Sequence, residues 1–189
     1  MASADYDLGY LRAALDTLED YLLSTEIYWP IGADSPAGAP DYPRLTLGGL
    51  LLAQKRAHAQ DLSAEHRNEL ARIDEQIDAL RSRWRVAWER KAGRGFSQRL
   101  RLWNDFIEDY RQNPKDNADR YNYEVERRVM LHLLGDEADA IPEAEHELLK
   151  GLDKLLGAVL IPDDFIWEQQ LQSGFPRETY WYLYGRPRT

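Results

Sequence analysis

Residues 81–103, RSRWRVAWERKAGRGFSQRLRLW, decide how the rest of the chain is read. From Arg81 to Arg101 this stretch holds eight basic residues and one acid, Glu89, a local charge of +7 in a chain whose net charge is −9. Everything outside it therefore sums to −16. Trp84, Trp88 and Trp103 sit among the arginines, and Gly93-Arg94-Gly95 interrupts the run. Glycine readily takes the left-handed conformation that ends many helices, so Gly93 reads as a helix stop and Ser97 as the cap of the next helix. The stretch is expected to be a helix–turn–helix corner.

Upstream of it, Leu70, Ile73, Ile77, Leu80 and Trp84 keep a 3–4 spacing, which predicts one long helix over about 63–92, capped by Ser63. At 1.5 Å per residue it would run about 45 Å and form the spine of the molecule. Leu8, Leu11, Leu15, Leu18 and Leu22 predict a first helix over 5–27, with Ser3 or Asp5 as cap and Asp5 and Asp7 at the positive end of its dipole. Thr46 caps a second, about 47–60. Downstream, helices are expected over about 97–112, from 116 or 117 to 134 with Gly135 as stop, and over about 142–160. A short helix from Asp163 or Asp164 to about Gln172 precedes the aromatic tail FPRETYWYLYGRPRT. Tyr180–Tyr184 has strand propensity, but no partner strand is evident, so the tail is expected to lie as an arm across the bundle or across a second subunit. The fold class is all-α: about six helices in an irregular antiparallel bundle, one domain over 1–189, with residues 162–189 as accessory arm.

Composition narrows the classes of function. Six Trp and eleven Tyr are too many for a disordered chain, and the absence of cysteine excludes disulfides and thiolate chemistry. No apolar run approaches the roughly 20 residues that span a bilayer, and the first residues lack the basic segment of a signal peptide. No membrane partner and a cytoplasmic location are expected. Nucleic acid is disfavoured as a partner, because the helical spacing of Trp84, Trp88 and Trp103 assigns them to the core rather than to stacking on bases.

Three places carry candidate chemistry. Arg94, Ser97, Arg99 and Arg101 would lie at the start of a helix, where positive charge is disfavoured, so an anion should offset them. Internal carboxylates (Asp136, Glu137, Asp139 or those of the next helix) are the favoured partners, and a bound phosphate or sulfate on the amides of Phe96–Gln98 is the alternative. The proline-rich loop 30–45, PIGADSPAGAPDYPRL, is either a stiff crossing or a lid over a pocket lined by Tyr28, Trp29 and Tyr42, with at least one buried charged group. Glu143-Ala-Glu-His146 has the Glu-x-x-His spacing of di-metal bundles, but only one copy is present and no metal or other cofactor is assigned. Nucleophile-elbow, phosphate-loop and His-Glu-x-x-His motifs are absent. The sequence points first to a non-catalytic interaction or homo-oligomeric protein. The alternatives are an enzyme or small-ligand binder with a site under the 28–45 loop, or an anion-binding module at residues 93–101.

Overall fold

The first helix, α1 (Ala4–Leu23), begins where the Ser3 hydroxyl accepts the Tyr6 amide at 3.2 Å. The computed structural model describes residues 3–189 and builds them into seven α-helices with one small sheet. After α1 come α2 (Leu47–Ala59), α3 (Ala64–Arg83) and α4 (Arg85–Gln112). Then follow a four-residue α5 (Pro114–Asn117), α6 (Tyr121–Glu137) and α7 (Glu143–Val159). Thr46 and Ser63 cap α2 and α3 as expected, through bonds to the amides of Gly49 (3.0 Å) and His66 (3.1 Å). Among the described residues no helix is long and apolar enough to cross a membrane.

The helix break does not fall at Gly93-Arg94-Gly95. It falls at Trp84, whose φ of −114° and ψ of 38° leave the helical region, and α4 then runs unbroken for 28 residues. The long central helix is therefore 85–112 rather than 63–92, about 42 Å at the usual rise. Two interior glycines cost about 1 kcal/mol each relative to alanine. Burying Trp88, Phe96 and Leu100 on the same face contributes about 2 kcal/mol apiece, so packing wins. Gly95 also has a use there: a β-carbon on it would come within 3.4 Å of Leu134, because α6 crosses α4 at that point. Gly135, expected to stop α6, likewise lies inside that helix, against the Phe96 ring.

α4 and α6 form the centre of one continuous core, with α1 and α2 packed across them and α3 laid along α1. α7 covers the other flank of α4. Arg128 of α6, 8% exposed, ties α7 to this centre by a two-pronged pair with Asp153, Nε–Oδ1 and Nη2–Oδ2 both 2.8 Å.

The tail lies across the bundle of its own chain, and residues 180–184 form no strand, as the missing partner strand led one to expect. Tyr180, Tyr182, Leu183 and Tyr184 are buried in their own chain, with residues 181–183 in a 3-10 turn. The strand lies just beyond: β2 (Gly185–Pro187) pairs antiparallel with β1 (Leu160–Pro162), Ile161 opposite Arg186. The short helix expected after Asp163 is a 3-10 segment at Gln169–Gly174. Aromatic burial overrides strand propensity here. The Tyr182 ring stacks under Arg128 at 4.6 Å and its carbonyl accepts the Tyr121 hydroxyl at 2.6 Å.

Candidate ligand-binding site

Asp7 lies one turn before Leu11 and in phase with Ala14 and Leu18, so helical geometry directs its carboxylate inward with the apolar stripe. It is only 2% exposed. Gln60 at the end of α2 donates to one oxygen at 2.8 Å, and Arg56 Nε stands 3.5 Å from the other without making a hydrogen bond. Burial raises the Asp7 pKa to about 6, against the opposing pull of Arg56 and the Gln60 hydrogen bond. A buried carboxylate so weakly compensated is unusual, because the desolvation of a charge is worth several kcal/mol.

Asp7 borders a cleft of about 620 Å³ bounded by α1, α2, α6, loop residues Pro40, Asp41 and Pro43, and the 3-10 segment of the tail. Its rings are Tyr6 and Tyr10 from α1, Tyr123 from α6 and Trp167 from the tail. Among the described residues, Asp7, Asp41 and Glu126 line it together with the guanidinium of Arg56. Burial raises the Glu126 pKa as well, with Arg56 and Arg99 opposing; Arg56 Nη1 is 4.0 Å from its carboxylate. The Tyr10 hydroxyl is buried without a hydrogen-bond partner among the described residues, and burial pushes its pKa upward. The loop reaches this wall because Gly9 lacks a side chain: a β-carbon there would collide with the Tyr42 hydroxyl.

The three loop aromatics singled out in the sequence do not line this cleft. Tyr42 stands behind it, its ring 5.1 Å from Tyr6 and 5.8 Å from Tyr10. Trp29 closes the base of the loop in a reciprocal backbone pair with Leu45, at 2.9 and 2.8 Å. Tyr28 meets α4, accepting from Gln98 at 3.4 Å beside Arg99. The loop residues at the cleft are Pro40, Asp41 and Pro43. Asp7, Arg56 and Glu126 had no motif to mark them. The one available signal was an ionisable residue in phase with an apolar helical stripe.

At the basic segment, the premise of an anion site is corrected. The amides of Phe96–Gln98 are interior to α4, so there is no positive helix terminus for an anion to offset. Arg94 donates to the Thr25 carbonyl at 3.1 Å, Arg99 to the Thr46 hydroxyl at 3.1 Å, and Arg101 to the Gln98 side chain at 2.7 Å. Among the described residues no carboxylate lies within 4.0 Å of these three guanidiniums, so the expected internal counter-anion is not found either. Ser97 does not cap a helix; its hydroxyl contacts the Gly93 carbonyl and Glu145, the latter at 2.7 Å.

The first half of the segment is paired internally. Glu137 accepts from Trp88 Nε1 and from Arg81, both at 2.8 Å. Glu19 accepts from Trp84 Nε1 at 2.8 Å and meets Arg83 at 3.3 Å. Lys91, 3% exposed, donates to the carbonyls of Ser24 (2.9 Å) and Glu26 (2.7 Å), a cation at the negative end of α1. Burial, with Arg94 adding repulsion, lowers its pKa to about 8.

The Glu143/His146 pair is on the outer part of α7, where the His146 ring rests 6.4 Å from Phe96. Among the described residues no three His, Asp or Glu side chains converge as a metal site. Comparison with protein-family models, with curated proteins and with solved structures returns no match, so the reading of this site rests on its own geometry.

Proposed function

We propose that this chain binds a small organic cation in the cleft beside Asp7. The observation that carries the reading is a carboxylate 2% exposed at the edge of an aromatic-walled cleft, whose nearest guanidinium among the described residues, Arg56, stands 3.5 Å away without a hydrogen bond through Nε. Aromatic faces attract cations through their quadrupoles, by about 0.5–2 kcal/mol each, and carboxylates add direct attraction. A protonated or quaternary amine would supply the charge that Arg56 supplies incompletely. The volume, about 620 Å³, is within the roughly 300–1,000 Å³ range of small-molecule sites.

The test is calorimetric titration, supported by thermal shift, with a panel of primary amines, polyamines and quaternary ammonium compounds beside neutral and anionic isosteres. Cations should bind, and Asp7→Asn should weaken them by about tenfold or more, a loss of at least about 1.4 kcal/mol. Binding should also weaken as pH falls through about 6, where Asp7 takes up its proton. Equal binding of neutral isosteres, or unchanged affinity in Asp7→Asn, would overturn the reading. Self-association, the other function class the sequence raised, draws support from a different surface, the outer edge of α7.

A further inference from the structure

We propose that two copies of this chain pair through the outer edge of α7, antiparallel, about a two-fold axis at Gly151. The inference is independent of the cleft.

α7 carries two apolar rows. Leu152 and Leu156, with Leu149 and Val159 partly buried beside them, face the core. The second row is Ala144, Leu148, Gly151, Leu155 and Ala158, spaced 4, 3, 4 and 3, and all five are exposed. Leu148 is 43% and Leu155 39% exposed, and Ile161, next in line on β1, is 50% exposed. Nothing in the chain lies within 4 Å of a β-carbon placed on Gly151, so another helix can approach the backbone closely there. A row with this 3–4 spacing is the seam by which two helices pack along their length.

The identity of the occupant follows from symmetry and charge. A two-fold contact requires that residue i face residue j while j faces i. The row reads Ala-Leu-Gly-Leu-Ala from either end, so an antiparallel copy centred on Gly151 sets glycine against glycine, Leu148 against Leu155 of the second copy and alanine against alanine at both ends. The charges flanking it divide in the same sense: Glu143 and Glu147 in the first half of the helix, Lys150 and Lys154 in the second. Antiparallel pairing places Glu147 against Lys154 of the second copy, and the reverse, on both sides of the axis. Parallel pairing would set like charge against like. Within one chain Glu147 reaches Lys150 at 2.7 Å, both well exposed, a pair weak enough to rearrange. One short helix pair falls below the roughly 1,200 Å² of stable interfaces, so the dimer is weak and concentration-dependent.

Sedimentation analysis of the full chain from about 1 µM to about 1 mM should give a monomer–dimer equilibrium with a dissociation constant on the order of 10–100 µM. Leu148→Glu with Leu155→Glu should abolish it while leaving the melting temperature of the dilute protein unchanged. Glu147→Lys or Lys154→Glu alone should weaken the dimer about fivefold or more, and the two together should restore it. Because the chain has no cysteine, introduced ones report geometry directly. Mixed Glu147→Cys and Lys154→Cys chains should form a heterodisulfide, whereas Glu147→Cys alone should not cross-link to itself. A chain that stays monomeric at about 1 mM, a dimer indifferent to the leucine changes, failure of the charge swap, or homotypic cross-linking at 147 would each overturn the proposal.

Discussion

Charge and aromatic rings meet in two regions of this molecule, the arginine–tryptophan segment around the α3–α4 junction and the cleft at Asp7, and they are balanced in opposite ways. In the first, the guanidiniums stay largely in water, and the indole N–H groups of Trp84 and Trp88 each find a carboxylate that an arginine shares. In the second, a carboxylate is inside, its nearest guanidinium is poorly aligned, and a tyrosine hydroxyl beside it has no hydrogen-bond partner among the described residues. Density of charge along the chain is thus a poor marker of a site. An ionisable group buried faster than its neighbours can compensate it is a better one, because such a group keeps a reason to bind something else.

The largest test of that contrast is Trp88→Ala. If the basic segment is architecture, removing a side chain that is 1% exposed costs about 3–5 kcal/mol in a denaturant melt. A loss under about 1 kcal/mol would mean the ring serves a surface and not the core.

Asp7→Asn probes the other region with a smaller and opposite effect. The folded pKa of Asp7, about 6, is above the value near 4 of an unfolded carboxylate, so the folded state holds the extra proton between those values. The wild-type chain should therefore lose about 2–3 kcal/mol through this group as pH rises from about 4 to about 6, and no more above it. Asparagine keeps an acceptor for Gln60 without the charge. The variant should be the more stable protein at pH 7.5, and its melts should lack that segment of pH dependence. A variant less stable than wild type at pH 7.5 would show that the Arg56 pairing, not desolvation, dominates.

The smallest effects belong to Arg94 and Arg101. Both are exposed, and among the described residues neither meets a carboxylate. Alanine at either should move stability by less than about 0.5 kcal/mol and leave any affinity for inorganic phosphate unchanged. A measurable loss of phosphate binding in either variant would return an anion site to the basic segment and blur the contrast.

Local signals were legible where the physics is local. Ser3, Thr46 and Ser63 each satisfy the amide three residues further on, inside the helix they precede, a bond made whatever the surroundings. Asn113-Pro114 closes α4 because proline lacks the donor and crowds the residue before it. Gly93 and Gly95 misled for the complementary reason. Their backbone freedom permits a turn but does not require one, and the choice was made by Trp88, Phe96 and Leu134 meeting across α4 and α6. The cleft was least legible. Arg56, Glu126 and Trp167 come from three separate parts of the chain and share no spacing. In the sequence Asp7 reads as an ordinary acid near a helix start, and only its phase with Leu11 and Leu18 argued otherwise.

By itself, then, the sequence determined the helical class, most helix ends and the absence of cysteine chemistry, since periodicity, capping and composition act over a few neighbouring residues. The tertiary structure decided the continuity of α4 through its glycines, the break at Trp84, the pairing of β1 with β2 and the burial of Asp7. Each of those is a competition between a modest local preference, about 1 kcal/mol, and the larger free energy of removing apolar surface from water, which no segment can evaluate alone.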